Sequence, residues 1–520
     1  MTRAVRRSVA TALCALLLTA CNSREGAGGP AGPASPPATS TRQTTGSAAG
    51  PLSGVGTADP PTTAPPASPV SPVSGAPSTA GVPSGPAVDP GPVPTVRTSV
   101  PPPSRGLTLG DIRESNDAVL DATLRQLAGA VESGGRAVFV APFAPAVAGR
   151  VGQWFDNTRA LGVAGARFVR TPGYFSPRRD TPTSFTRTVV LGVRTPYDDD
   201  GSLPGIAYTV GMDRRAGRWT VTTWAPSYVD DPMNCGCRLQ VVHRGDVAVV
   251  SEGGRSLAGW PAIVLDRALE GTAWPVQRMA GSGLRAPAGH VFFLVDHPYR
   301  WFLSATGAPE TSNATVSLVE TDGPAPGTLF STASRIVLML ADTDGRTAPQ
   351  TAVGRLYAWD VVTHEATHQL MNLNSQLYYG EGDPIATWIV EGIAVAVEVL
   401  HRRDHPETAD AGYYLRDDPR NVDRGWLRRH LAGDLPSREQ LYAAPGAERS
   451  NWYALSGSVF LFLADRYGFP TMMRTARLMY AQNGRNPFDV VPDPDRAGRY
   501  LSRADAMAAW RSWFTDNYLG

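Results

Sequence analysis

The chain is poor in cysteine, histidine and charge. Four cysteines in 520 residues cannot build a disulfide scaffold, so a folded state here has to rest on a buried apolar core. The formal net charge is +1, only 18% of residues are charged, and arginine and lysine form no block. The electrostatic footprint of a nucleic-acid-binding protein is therefore missing, and no nucleic-acid partner is expected. Large apolar residues are scarce from residue 22 to about 105, where "PASPPATSTRQTTGSAAGP" and "PSGPAVDPGPVPTVRTSVPPP" are typical. Such a stretch cannot bury enough surface to offset its ordering entropy. Proline keeps it extended and semi-stiff.

What precedes that stretch reads as an address. "MTRAVRRSVATALCALLLTAC" places Arg3, Arg6 and Arg7 before an apolar run that is too short to span a bilayer. The run ends in "LTAC", which resembles a lipobox. The resemblance implies a signal peptide over 1–20 and a diacylglyceryl group on Cys21, whose two chains suffice for anchoring in a cell membrane on its outer side. Residues 21–105 then form a stalk. An ordinary cleaved signal, with Cys21 incidental, is the other reading.

Two folded regions follow, and together they read as α+β. In 106–252, "TLGDIRESNDAVLDATLRQLAGAVESGG" puts Val119, Leu120, Leu124, Leu127 and Val131 on one helical side. "APAVAGRVGQWFDNTRAL" reads as a second helix. Alternating stretches come next, with "RRAG" a hairpin turn between two of them. Helices followed by a curled antiparallel sheet are similar to the nuclear-transport-factor-like, or cystatin-like, domains, and no catalytic constellation lies among them. Cys235 and Cys237, in "NCGC", are open to three readings: a local disulfide, two free thiols, or two ligands of a metal site whose remaining ligands the sequence does not supply.

Region 253–520 contains "VVTHEATHQL" at 361–370. Thr351 is a candidate cap for its helix. On a helix His364 and His368 lie one turn apart on one face, so both imidazoles can reach one tetrahedral Zn²⁺. Glu365 is turned about 100° away, beside the metal rather than on it, where a carboxylate can take a proton from a water. The alternative is a helix that merely carries two surface histidines. With eight histidines in the chain and apolar Val361, Val362 and Leu370 around the pair, that alternative asks for costly unpartnered imidazoles.

Met371 and Asn374 occupy the positions where the metzincin pattern has Gly and His, which excludes that class. A second helical pattern, "ATWIVEGIAVAVEVLHRR", carries Glu391 and, seven residues on, Glu398. "HEATH" followed by "WIVEG" resembles the gluzincins, zinc peptidases whose third ligand is a glutamate on the next helix. The match is strong at these two motifs and weak elsewhere. It implies a zincin-like domain in which His364, His368 and Glu391 bind Zn²⁺ and Glu365 is the general base, with Glu398 the rival third ligand. Thermolysin-like relatives have an aspartate where Val395 stands, so whatever orients the histidines comes from elsewhere. Tyr453 is a candidate oxyanion donor or a packing residue. "SRIVLMLA" is expected to be a substrate-lining edge strand, and His401 and His405 are expected on solvated helix-end surface. The implied activity is hydrolysis of a peptide or protein substrate by a membrane-anchored zinc peptidase. A non-catalytic exported binding module with a structural or degenerate zinc site is the alternative.

Overall fold

Thr108 starts the first helix, α1 (Leu109–Ser133): its hydroxyl accepts from the Asp111 amide at 3.2 Å, and the Asp111 carboxylate accepts from the Thr108 amide at 2.8 Å. This reciprocal cap satisfies two amides that the first turn leaves free. The computed structural model describes residues 20–21, 108–171, 180–199, 203–227, 230–253, 257–295, 313–320, 330–340, 352–375, 386–406, 417–481 and 486–520. Thr351 and the expected stalk after Cys21 lie outside the described residues, as does all of the expected signal but its final residue. A short helix, α2 (Arg136–Val140), and a longer one, α3 (Pro145–Leu161), follow α1.

The strands from Gly165 to Met339 form one sheet. The first part is an antiparallel meander, β2 (Gly165–Arg170), β3 (Ser184–Arg194), β4 (Pro204–Arg215) and β5 (Arg218–Pro226), and the two-residue β1 (Ala20–Cys21) pairs elsewhere, with residues 313–314. Ala216 and Gly217 both take positive φ between β4 and β5, the left-handed pair a tight hairpin requires. Here the "RRAG" turn stands as the sequence predicts. Val119, Leu120, Leu124, Leu127 and Val131 of α1 are buried in one core with Phe139, Trp154, Phe168, Tyr208 and Trp224.

Beyond it the sheet runs β4–β9–β10–β8–β7–β6, where β6 is Leu239–Arg244, β7 Val247–Glu252, β8 His290–Val295, β9 Asn313–Glu320 and β10 Phe330–Met339. β4 and β9 share two register pairs, Pro204 with Glu320 and Gly205 with Val319. Residues on both sides of the division drawn at 252 thus belong to the same sheet. β7, β8 and β10 are parallel neighbours and are apolar on both faces, as buried parallel strands are. Val249, Phe292, Leu294, Ile336 and Leu338 face one core; Val250, Val291, Phe293, Val337 and Met339 face another.

The strand "SRIVLMLA" is not at an edge. β10 lies between β9, paired through Val337, and β8, paired from Ile336 to Met339, so Ile336 and Val337 are paired on both sides. The cause is β9, whose sequence "NATVSLVE" carries no marked apolar run.

The first core is covered by α4 (Trp260–Arg278) and α5 (Ala352–Asn374). The remaining helices are α6 (Thr387–Asp404), α7 (Arg424–His430), α8 (Arg438–Ala443), α9 (Gly446–Tyr467), α10 (Phe469–Tyr480) and α11 (Arg503–Phe514). They enclose a large core built around Ile393, Val397, Phe460, Leu463, Met472 and Trp510. The chain is α+β. Among the described residues, no helix is long and apolar enough to cross a membrane.

A buried ion pair ties the two parts of the sheet. Nη1 and Nη2 of Arg335 donate to Asp198, at 2.5 and 2.7 Å, and Asp198 also accepts from the Thr195 amide and hydroxyl. Asp198→Ala leaves the Arg335 guanidinium buried without its counter-charge. The expected loss is about 3–5 kcal/mol of unfolding free energy, read as a lower midpoint in urea.

Candidate metal centre

Helix α5 is buried on all sides at its centre: residues 361–373 are all buried. Yet Thr363, His364, Glu365, Thr367, His368, Gln369 and Asn372 are polar. A wholly buried helix is normally apolar all round, and each buried polar group needs a partner. The threonines turn back on their own helix, Thr363 to the Trp359 carbonyl at 3.1 Å and Thr367 to the Thr363 carbonyl at 2.8 Å. Gln369 donates to the Gly289 carbonyl at 3.0 Å and contacts His290 Nδ1 at 2.6 Å. That contact pins α5 to the start of β8 one residue from His368.

His364 and His368 meet a glutamate from α6. Glu391 Oε2 lies 3.5 Å from His364 Nε2 and 3.7 Å from His368 Nε2. The imidazole rings are 4.9 Å apart. All three residues are buried, with one ligating atom from each within 4.8 Å of the others. This group could hold a metal ion, and it is the trio expected from the sequence.

The rival acid has a different place. Glu398 Oε2 lies 3.1 Å from His364 Nδ1, on the far side of the ring. It orients the imidazole, the job for which an aspartate at position 395 was missing. Two turns of helix separate Glu391 from Glu398, so one face of α6 reaches both nitrogens of one histidine. Tyr442 of α8 donates to Glu391 Oε1 at 2.7 Å, which fixes the carboxylate with Oε2 toward the imidazoles. The sequence contained no signal for Tyr442, because 51 residues separate it from Glu391. Tyr453 is buried on α9 in the helical core.

Comparison with known protein families and with curated proteins finds no match to this chain.

The position of Glu391 depends on a close helix crossing. A Cβ on Gly392 would lie 2.7 Å from the Ser456 carbonyl oxygen of α9, and one on Gly457 would lie 2.6 Å from Val395 Cγ1. Only two glycines facing each other's helices allow α6 and α9 to approach so near. This is a packing reason for the glycine that follows the third acid.

Charge in the centre is one-sided. Glu365, Glu391 and Glu398 are each at most 2% exposed. Burial alone would lower the His364 imidazole, but hydrogen bonding to Glu391 and Glu398 and the charges of Glu398 and Glu365 outweigh it, and the group is raised from 6.5 to about 10. Burial would likewise raise Glu391, yet His364 and His368 hold it well below the ordinary carboxylate range. The metal-free pocket therefore takes up a proton where a metal cation would sit.

His401 departs from expectation. It is fully buried, because the last turn of α6 lies under α4 and against Trp359 and Trp274; His405 is partly buried. Burial, with His405 and Arg402 nearby, pushes His401 down to about 3. Cys235 and Cys237 are joined in a disulfide and so have no thiolate to give a metal.

The sign of the pH dependence follows from these shifts. In the metal-free protein the raised His364 stabilises fully below pH 6.5 and loses that contribution as pH rises toward 10; the lowered Glu391 stabilises above 4.5 and loses its contribution on acidification. Metal binding displaces the His364 proton. Near pH 7.5, calorimetry in buffers of different ionisation enthalpy is expected to show about one proton released per ion. Glu398→Gln is expected to weaken metal binding about 10- to 100-fold, measured by competition with a chelator of known affinity.

Proposed function

We propose that the chain is a zinc-dependent peptidase of gluzincin type, exported and held at the membrane surface through a lipid on Cys21. The observation that carries the catalytic reading is the buried trio of His364, His368 and Glu391, with Glu365 buried next to it in the chain. His364 and His368 supply two imidazole nitrogens and Glu391 one oxygen, separated by 3.5 and 3.7 Å. Donors on a tetrahedral zinc, each about 2.0–2.1 Å from the ion, stand about 3.3 Å from one another. The two glutamate–histidine distances approach that spacing, and three donors would leave the fourth corner of a tetrahedron for a small ligand. Bound there, zinc supplies a Lewis acid that polarises a carbonyl and acidifies water.

The protein's own groups do the rest. Glu398 holds His364 with Nε2 toward the ion site, and Tyr442 holds Glu391 to one oxygen. Glu365 follows His364 directly and is 1% exposed. Its carboxylate takes a proton from the attacking water and delivers it to the leaving amine. A purely structural zinc has no use for a third acid kept buried next to the first ligand, which weighs against the reading of a non-catalytic binding module. The substrate is read as a peptide or protein because an amide carbonyl needs both the electrophile and the proton shuttle.

Glu365→Gln keeps the size of the side chain and removes the base. Metal content is expected to remain at the parental value while turnover of a mixed peptide library falls at least about 100-fold. Chelation of the parent should also abolish cutting, and zinc should restore it. Undiminished hydrolysis by Glu365→Gln would refute the assignment, and zinc binding without hydrolysis in the parent would favour the binding module.

A further inference from the structure

Further along α6 the chain repeats the arrangement of the first site. His401 and His405 are four residues apart, with rings 4.9 Å apart and inclined at 68°, against 4.9 Å and 77° for His364 and His368. Glu270 of α4 faces them. Its Oε1 lies 3.6 Å from His405 Nε2, while Oε2 lies 3.6 Å from Arg267 Nη1. One ligating atom from each of Glu270, His401 and His405 lies within 4.8 Å of the other two.

The tautomer of His401 is set by its neighbours. Its Nδ1 lies 3.1 Å from Thr363 Oγ1, and that hydroxyl gives its proton to the Trp359 carbonyl. With its proton on the carbonyl side the hydroxyl accepts from Nδ1, and that arrangement leaves the lone pair on Nε2. This Nε2 is buried without a hydrogen-bond partner among the described residues. A buried acceptor with nothing to bind is costly. Trp359 and Trp274 stack edgewise around the ring at 4.7 and 5.1 Å and offer it no donor.

We propose that Glu270, His401 and His405 form a second divalent-metal site, which fastens α4 to the C-terminal end of α6. Two imidazoles and a carboxylate suit zinc and its first-row neighbours. Glu270 and His405 are partly exposed, so an ion can enter and water can complete its coordination. At 1.5 Å of rise per residue, His401 lies about 15 Å along α6 from Glu391. That is too far for a shared two-metal centre, whose ions sit about 3.5–4 Å apart. The helices are already held for the purpose. Trp274 donates to Asp404 at 3.2 Å, Arg278 also pairs with Asp404, and a Cβ on Gly271 would lie 2.7 Å from Thr363 Oγ1. Because α6 also carries Glu391 and Glu398, the second ion steadies the helix that builds the first site without taking part in its chemistry.

Zinc chloride titrated into the chelator-treated full chain by calorimetry tests this directly. The parent is expected to take up two equivalents. His405→Gln and Glu270→Gln, both at partly exposed positions, are each expected to take up one. His364→Gln is also expected to take up one, and in that background zinc still raises Tm; adding His405→Gln abolishes the rise. The inference is overturned if the parent binds one equivalent that His364→Gln removes, or if His405→Gln and Glu270→Gln bind as much zinc as the parent. Those outcomes leave the reading of the first site intact. An equivalent lost in His405→Gln but not in His364→Gln would sink that reading and support this one.

Discussion

Three carboxylates and two imidazoles share a volume from which water is almost excluded, and helices α5 and α6 can lie together there only because these charges offset one another. Unpaired, any one of the acids would make burial prohibitive. Paired, they make a pocket with an unmet demand for positive charge, which a proton on His364 or a divalent ion can fill. The surrounding structure serves this balance. The sheet gives α5 a flat apolar floor, and the His290–Gln369 contact prevents it from sliding along that floor. The α9 crossing at Gly392 and Gly457 sets the depth of α6.

Two of the three residues that could hold a metal are also held by a residue outside the trio. Glu398 holds His364 and Tyr442 holds Glu391. Such supports convert a cluster of polar side chains into a defined geometry, because a buried imidazole or carboxylate with one anchored edge has a single direction left for the other. The far end of α6 repeats the device with Thr363 as the anchor of His401. The threonine just before the first ligand is thus shared between the two histidine pairs, and α5 and α6 act as one rigid element over that span.

Local periodicity made much of this legible. The α1 stripe, the β4–β5 turn and the helical placement of His364, Glu365 and His368 all follow from spacings of a few residues. Glu391 was legible because it follows a tryptophan and precedes a glycine on a strongly apolar helix. Other features were hidden. β9 has no distinctive run, so β10 looked like an edge when it is an interior strand. His401 looked solvated because "HRRDH" is charged around it, and only the packing of α4 over that turn buries it.

The sequence by itself determined the residue chemistry: which side chains can ligate, which can accept a proton, and which faces of helices must be buried. Those properties act over one or two turns and need no knowledge of distant segments. Tertiary structure alone decided which acid turns its oxygen to the histidines and which stands behind them, that Tyr442 completes the support, and that Glu270 meets His405. These are contacts between segments tens to more than a hundred residues apart. Their geometry comes from the close packing of whole helices and sheets, and no local pattern encodes it.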